Sequence, residues 1–217
     1  MYSLIRRLVA ENRRLLVFLA LLFVFRSVIA DWNTVPTGSM KPTIIEGDRI
    51  LVNKLAYDLR IPFTHISLYR LGEPQRGDIV VFDSSVSGIR LVKRVIGVPG
   101  DRVELRSNAL FINGRPLQYE TTVAGEDYLD LTENLEGIRH PVRISRFGNP
   151  RYANFGSLRI PEEKFLVLGD NRDNSSDSRM IGLVPRAEMI GRTRHVVMSL
   201  DYDNYYLPRS KRFLHTL

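Results

Sequence analysis

The sequence predicts a mainly β protein: an antiparallel β-sheet core with an inserted β-rich subdomain, preceded by one N-terminal transmembrane helix. Three observations carry this. Beyond residue 32, short β-branched runs are separated by Gly, Pro, Asn and Asp. No long amphipathic helical period occurs there, and a single turn opened by Pro185 is the best helical candidate. Near the N-terminus, Leu15 to Phe25 forms an unbroken run of eleven apolar residues behind a basic segment.

Arg6, Arg7, Arg13 and Arg14 precede the apolar run and Arg26 follows it. Basic residues on one flank mark the cytoplasmic side, so 1-14 reads as a cytoplasmic N-terminus and 15-31 as the anchor. Continued past Arg26 to Ala30 the apolar stretch reaches sixteen residues, just short of the usual span of about 17 to 25. Snorkelling of Arg26 and an interfacial Trp32 extend its reach. A basic start, an apolar centre and the ending Val28-Ile29-Ala30 also describe a removable signal peptide. The residues alone leave both readings open.

Strands are expected over Asp48-Lys54, Gly77-Phe82, Ile89-Val98, Arg102-Leu105, Leu110-Asn113, Lys164-Leu168 and Arg192-Met198. A polar turn at Arg106-Ser107-Asn108 and the pair Asn113-Gly114 join neighbours as antiparallel hairpins. Residues 115-158, with four dispersed glycines and little sustained alternation, read as the inserted subdomain. The catalytic β-core is then 32-114 with 159-200. The tail 201-217, carrying Arg209, Lys211 and Arg212, reads as a solvated or membrane-facing end.

The net charge of +7 raises nucleic acid as a partner, but residues 1-30 alone supply +4 of it. Zinc-finger spacing, a basic heptad region and an RNA-binding aromatic signature are all missing, so no nucleic acid is expected. With no cysteine there is neither a disulfide nor a thiol nucleophile. His65, His140, His195 and His215 are scattered without ligand spacing, and Arg172 and Arg179 offset Asp170, Asp173 and Asp177. No metal and no cofactor are expected.

Three stretches carry the chemistry. Pro36-Thr37-Gly38-Ser39-Met40-Lys41-Pro42-Thr43 holds a serine among turn-forming residues just beyond the apolar segment. Leu91 to Asp101 contains Lys93 inside an apolar strand, and Gly169 to Arg179 is a dense polar loop. A serine hydroxyl needs a base before it attacks a carbonyl. Strand alternation puts Ile89, Leu91, Lys93 and Val95 on one face and Arg90 and Arg94 on the other. Burial on an apolar face disfavours the ammonium and can lower a lysine pKa by several units, as a general base near neutral or mildly alkaline pH requires, a role closed to arginine; on the residues alone, a lysine snorkelling from a half-buried strand to solvent is the competing reading. A histidine brought in by the fold remains an alternative base.

In this order the three stretches resemble the boxes of bacterial type I signal peptidases, over most of residues 12-114 and 159-200. The resemblance implies a membrane-bound serine endopeptidase with Ser39 as nucleophile and Lys93 as general base. It implies that the Ser39 N–H and the Thr37 hydroxyl form the oxyanion hole; many relatives carry serine at this second position. It further implies that Ser175 orients the lysine amine, that Asp177 and Arg179 form a supporting ion pair, and that Val35, Met40 and Val92 line the substrate pockets. The implied partners are signal-peptide-bearing preproteins, cut after small residues at the −3 and −1 positions, with membrane lipid and the secretion translocon close by. The implied location is the bacterial inner membrane, single-pass, with the catalytic domain on the periplasmic or extracytoplasmic side.

Other readings remain. A conjugative-pilus maturation peptidase would keep the dyad for one dedicated substrate. A self-cleaving SOS repressor would require a DNA-binding helix-turn-helix before the core, where this chain has its apolar segment. A non-catalytic periplasmic binding module would have a decayed site, whereas all the expected catalytic positions are filled here.

Overall fold

The computed structural model describes residues 10–64, 66–148 and 150–217. Arg6, Arg7 and His65 therefore lie outside the described residues. Helix α1 (Arg13–Val28) carries the apolar run and is exposed from Arg13 to Phe25, with Arg26 to Val28 partly buried. Among the described residues no helix is long and apolar enough to cross a membrane. The helix passes almost directly into the sheet, because Ile29 N donates to Phe25 O and the next strand begins at Ala30.

In chain order the strands are β1 (Ala30–Thr34), β2 (Asp48–Asn53), β3 (Asp58–Arg60), β4 (Ser67–Arg70), β5 (Ile79–Asp83) and β6 (Arg90–Gly97). There follow β7 (Arg102–Arg106), β8 (Ala109–Ile112), β9 (Arg115–Pro116), β10 (Gln118–Ala124), β11 (Tyr128–Leu135) and β12 (Ile138–Ser145). After the short α2 (Pro150–Ala153) come β13 (Phe155–Arg159), β14 (Lys164–Leu168), the short α3 (Ser178–Ile181), β15 (Val184–Pro185), β16 (Met189–Asp201), β17 (Leu207–Pro208) and β18 (His215–Thr216).

The principal sheet runs β1-β2-β16-β5-β6-β14-β15, and its paired strands are antiparallel. Its central strand β5 is buried on both faces. Ile79 and Val81 join Val35, Met40, Ile44 and Ile50 in one core cluster, while Val80 and Phe82 join Val95, Phe165 and Val167 in another. Strand alternation thus explains why β5 is a continuous apolar run. A further cluster, including Ile96, Val103, Leu110, Leu135 and Leu168, fills the junction with the smaller sheets.

Those smaller sheets are β13-β7-β8-β9 and the meander β10-β11-β12. Pairing of β13 with β7 crosses the expected boundaries at 114/115 and 158/159. The β7–β8 and β8–β9 turns form where expected, with positive φ at Ser107, Asn108, Asn113 and Gly114, the mirror-image turn geometry suited to twisted hairpins.

The C-terminal tail is largely exposed yet tied to the sheet. Strands β17 and β18 pair with β16, and Leu217 packs against the core. The tail arginines are the reason. Arg212 makes a bidentate pair with buried Asp48, at 2.9 and 2.5 Å, while Arg209 reaches Asp201 and the carbonyls of Glu46 and Leu200.

Candidate active site

Ser39 sits in a one-turn 3₁₀ helix, Gly38–Met40, entered from an extended Thr37. Met40 and Ile44 are buried in the core, and Ile44 N donates to Met40 O, so apolar packing fixes the downstream end of the turn. Asn171 fixes its main chain, donating from its backbone N to Ser39 O and from Nδ2 to Gly38 O, both at 3.0 Å. A Cβ on Gly38 would meet Glu46 Oε1 at 2.6 Å, so the flexible Glu46 side chain would have to shift to admit it.

Lys93 projects from β6, opposite Val80, and is only 2 % exposed. Its Nζ lies 2.8 Å from Ser39 Oγ and 2.9 Å from Val92 O. Burial lowers its pKa to about 8; Asp177 and Asp170 oppose the shift and Arg179 reinforces it. Near that pH a sizeable fraction of the amine is neutral, and its lone pair can accept the Ser39 proton. Among the described residues no histidine is hydrogen-bonded to Ser39.

The loop 169–179 wraps the pair. Asp170 accepts from Arg94 Nε at 2.9 Å, from Arg94 Nη2 at 2.7 Å and from Thr43 Oγ1 at 2.5 Å, joining the strand of Lys93 to the segment after Ser39. Asp177 pairs with Arg179 through two bonds of 2.8 and 2.6 Å and also accepts from Gly169 N. This pair is buried, with Arg179 reaching on to Tyr152 O. Ser175 is buried beside Gly169 and the Ser39 carbonyl, but its Oγ has no hydrogen-bond partner among the described residues. The Lys93–Ser175 hydrogen bond implied by the resemblance is therefore not made here. Lys93 bonds Ser39 and Val92 instead.

Thr37, Ser39 and Lys93 line one cleft of about 390 Å³ together with Val35, Met40, Val92, Trp32, Asn33 and Ile89. The three expected pocket residues are thus at the same opening as the serine and lysine. Thr37 is exposed at this opening, and its hydroxyl makes no hydrogen bond among the described residues. Strand β1 is a sheet edge, and β6 pairs with β14 only from Arg94 onward, so among the described residues no strand pairs with that edge of β6 from Arg90 to Lys93, where Val92 O accepts from Lys93 Nζ. An extended peptide can add to such an edge through main-chain hydrogen bonds.

The contributions of Thr43, Arg94 and Gly169 were not singled out from the sequence. A Cβ on Gly169 would meet Ser175 Oγ and come within 2.5 Å of Ser39 O. The signal for Arg94 was its place beside Lys93, but its buried carboxylate partner is a tertiary fact.

The family described as "Signal peptidase, peptidase S26" matches residues 7–198. A signal peptidase I of Pseudomonas fluorescens is 36% identical over 199 residues, covering 83% of this chain and 69% of that one. A signal peptidase I of Rickettsia typhi is 37% identical over 198 residues, covering 81% and 75%. The solved structure of a signal peptidase I from Enterococcus faecalis V583 is 33% identical, covering 55% of this chain and 96% of that one, with a TM-score of 0.37. The protein is thus a hydrolase of the serine peptidase class. It belongs to the signal peptidase family, peptidase S26, whose members cleave signal peptides from the preproteins that bear them.

Proposed function

We propose that the chain is a single-pass membrane endopeptidase that cuts preproteins after small residues at −3 and −1, using Ser39 as nucleophile and Lys93 as general base. The observation that carries this reading is the 2.8 Å approach of Lys93 Nζ to Ser39 Oγ at the mouth of the cleft. Ser39 Oγ attacks the scissile carbonyl as Lys93 takes its proton. The resulting oxyanion is held by Ser39 N–H and the Thr37 hydroxyl, a contribution that grows as charge develops. Collapse expels the mature protein's amine, which receives the proton from Lys93. Lys93 then takes a proton from water, the hydroxide attacks the acyl carbonyl, and Ser39 is released with its proton restored.

Substrate selection follows from the same cleft. The signal-peptide end lies extended along the edges of β1 and β6, with shallow pockets at Val35, Met40 and Val92 admitting only small side chains. The cation Arg26 stacks over Trp32 at 4.3 Å and pairs with Asp31, and Lys54 donates to Arg26 O and Ser27 O. These contacts support a helix end held at the membrane interface with lipid around α1, and the arginines Arg13 and Arg14 before the apolar run favour a site on the extracytoplasmic side of the inner membrane, where the translocon would be near.

Incubating the purified full chain with a panel of preproteins, and reading the released peptides by mass spectrometry, tests this function. Cleavage of several members after small −1 and −3 residues supports it. Cleavage of none refutes it, and cleavage of one alone replaces it with a dedicated maturation peptidase.

A further inference from the structure

Four consecutive residues of the polar loop each hold a different part of the molecule. Asp170 binds Arg94 of β6 and Thr43. Asn171 binds the Ser39 turn through two hydrogen bonds. Arg172 donates from Nη1 and Nη2 to Glu133 of β11, at 2.9 and 2.6 Å. Asp173 accepts from Ser145 N of β12 at 2.8 Å.

Strands β11 and β12 of the meander are therefore bound to this loop. Arg143 of β12 bridges Asn171, its N donating to Asp170 O while its own carbonyl accepts from Arg172 N, both at 2.8 Å. The Arg172–Glu133 pair is 1 % and 0 % exposed, and His140 Nε2 stands 3.2 Å from Glu133 Oε1. Such a buried pair is often no more stabilising than apolar residues of equal volume. What it supplies is direction: two parallel charge-assisted bonds fix the orientation of the guanidinium, and Arg172 is covalently joined to the residue that grips Ser39.

We propose that the β10–β12 meander is a positioning element of the peptidase, and that Glu133 and Arg172 are the positioning residues through which it sets Asn171, and hence Ser39, against Lys93. Neither touches the cleft. The inference rests on the reading of Ser39 as nucleophile. It assigns residues 118–145 a part in turnover rather than in substrate binding alone.

The experiment compares Glu133→Leu/Arg172→Met with wild type in the full chain, measuring melting temperature, kcat and KM on one preprotein. The expected result is a wild-type melting temperature, a KM within about twofold, and a kcat lowered roughly ten- to a hundredfold, the scale of a sub-ångström to 1 Å misplacement. Wild-type kcat at wild-type melting temperature overturns the inference, since a merely structural pair is replaced when its packing is replaced. Should this double variant not fold, Glu133→Asp carries the test. That variant keeps the charge but shortens its reach, so a lowered kcat at unchanged KM supports positioning and wild-type kcat refutes it. Ser39→Ala run alongside separates the two readings: activity in Ser39→Ala removes the nucleophile assignment and the inference with it. An inactive Ser39→Ala beside a fully active, stable double variant refutes positioning alone.

Discussion

Lys93 Nζ and Ser39 Oγ lie 2.8 Å apart, and among the described residues Lys93 forms no ion pair with a carboxylate. The nearby carboxylates of Asp170 and Asp177 are each occupied by an arginine. An ammonium at Lys93 would thus be buried without a direct counter-ion, and the site favours the neutral amine that general-base chemistry needs. The arginine pairs hold the acidic groups close enough to oppose the pKa shift but not to cancel it.

This has a cost in stability. The unfolded chain keeps Lys93 protonated up to about 10.4, whereas the folded chain releases the proton near 8. Between those values the unfolded state binds more protons, so stability falls as pH drops through that window and the penalty is complete below about 8. Lys93→Met should be inactive yet more stable at pH 7, by up to about 3 kcal/mol. Denaturant melts at pH 7 and pH 10 check this, and the gain should shrink at the higher pH.

Asp177→Asn and Arg179→Met should move the activity profile in opposite directions. Asp177 raises the Lys93 pKa and Arg179 lowers it, so the first variant should shift the rising limb to lower pH and the second to higher pH. Each also breaks a buried pair, at a cost of about 3 to 5 kcal/mol. The pH–rate profiles are therefore to be read at a temperature where both variants are folded.

Thr37→Val should leave stability within about 0.5 kcal/mol, as expected of an exposed position without special contacts. It should lower kcat by up to about a hundred- to a thousandfold. A wild-type kcat in this variant would show that the Thr37 hydroxyl is not an oxyanion donor.

Ser175→Ala removes a buried hydroxyl that has no hydrogen-bond partner among the described residues, so its melting temperature should not fall. If Ser175 reaches Lys93 when substrate is bound, kcat drops while KM holds. Equal kinetics would restrict Ser175 to filling space beside Gly169.

The apolar run, the expected strands of the principal sheet and the pairing turns were legible because each is a local pattern of period, β-branching or turn residues. The pairs Asn108 and Ser107, and Asn113 and Gly114, show this: positive φ falls where the turn residues stand. Strand β1 was missed because Ala30 to Thr34 sits beneath the end of the apolar run and alternates weakly. The meander β10–β12 is rich in Glu, Thr and Arg, whose exposed faces hide the period. The serine and lysine were legible as box residues, but the partners that hold them were not. Asn171 lies 132 positions beyond Ser39, Arg94 finds Asp170 across 76, and no local pattern encodes either closure.

Whether the N-terminal segment stays attached is tested by intact mass. Protein extracted from membranes should include residue 1 or 2, whereas a mature start at Asp31 in soluble extracts would make Val28-Ile29-Ala30 a cleavage site.

The central claim is that neutral Lys93 is the base for Ser39, and the pH dependence of kcat/KM in the full chain tests it most directly. The account predicts a rate that rises with pH along a limb near 8, the pKa of buried Lys93. Ser39→Ala, Lys93→Ala and the double variant should all be reduced alike, because residues acting as a unit are non-additive. A limb near about 6.5, the ordinary histidine value, together with substantial activity in Lys93→Ala, would contradict it.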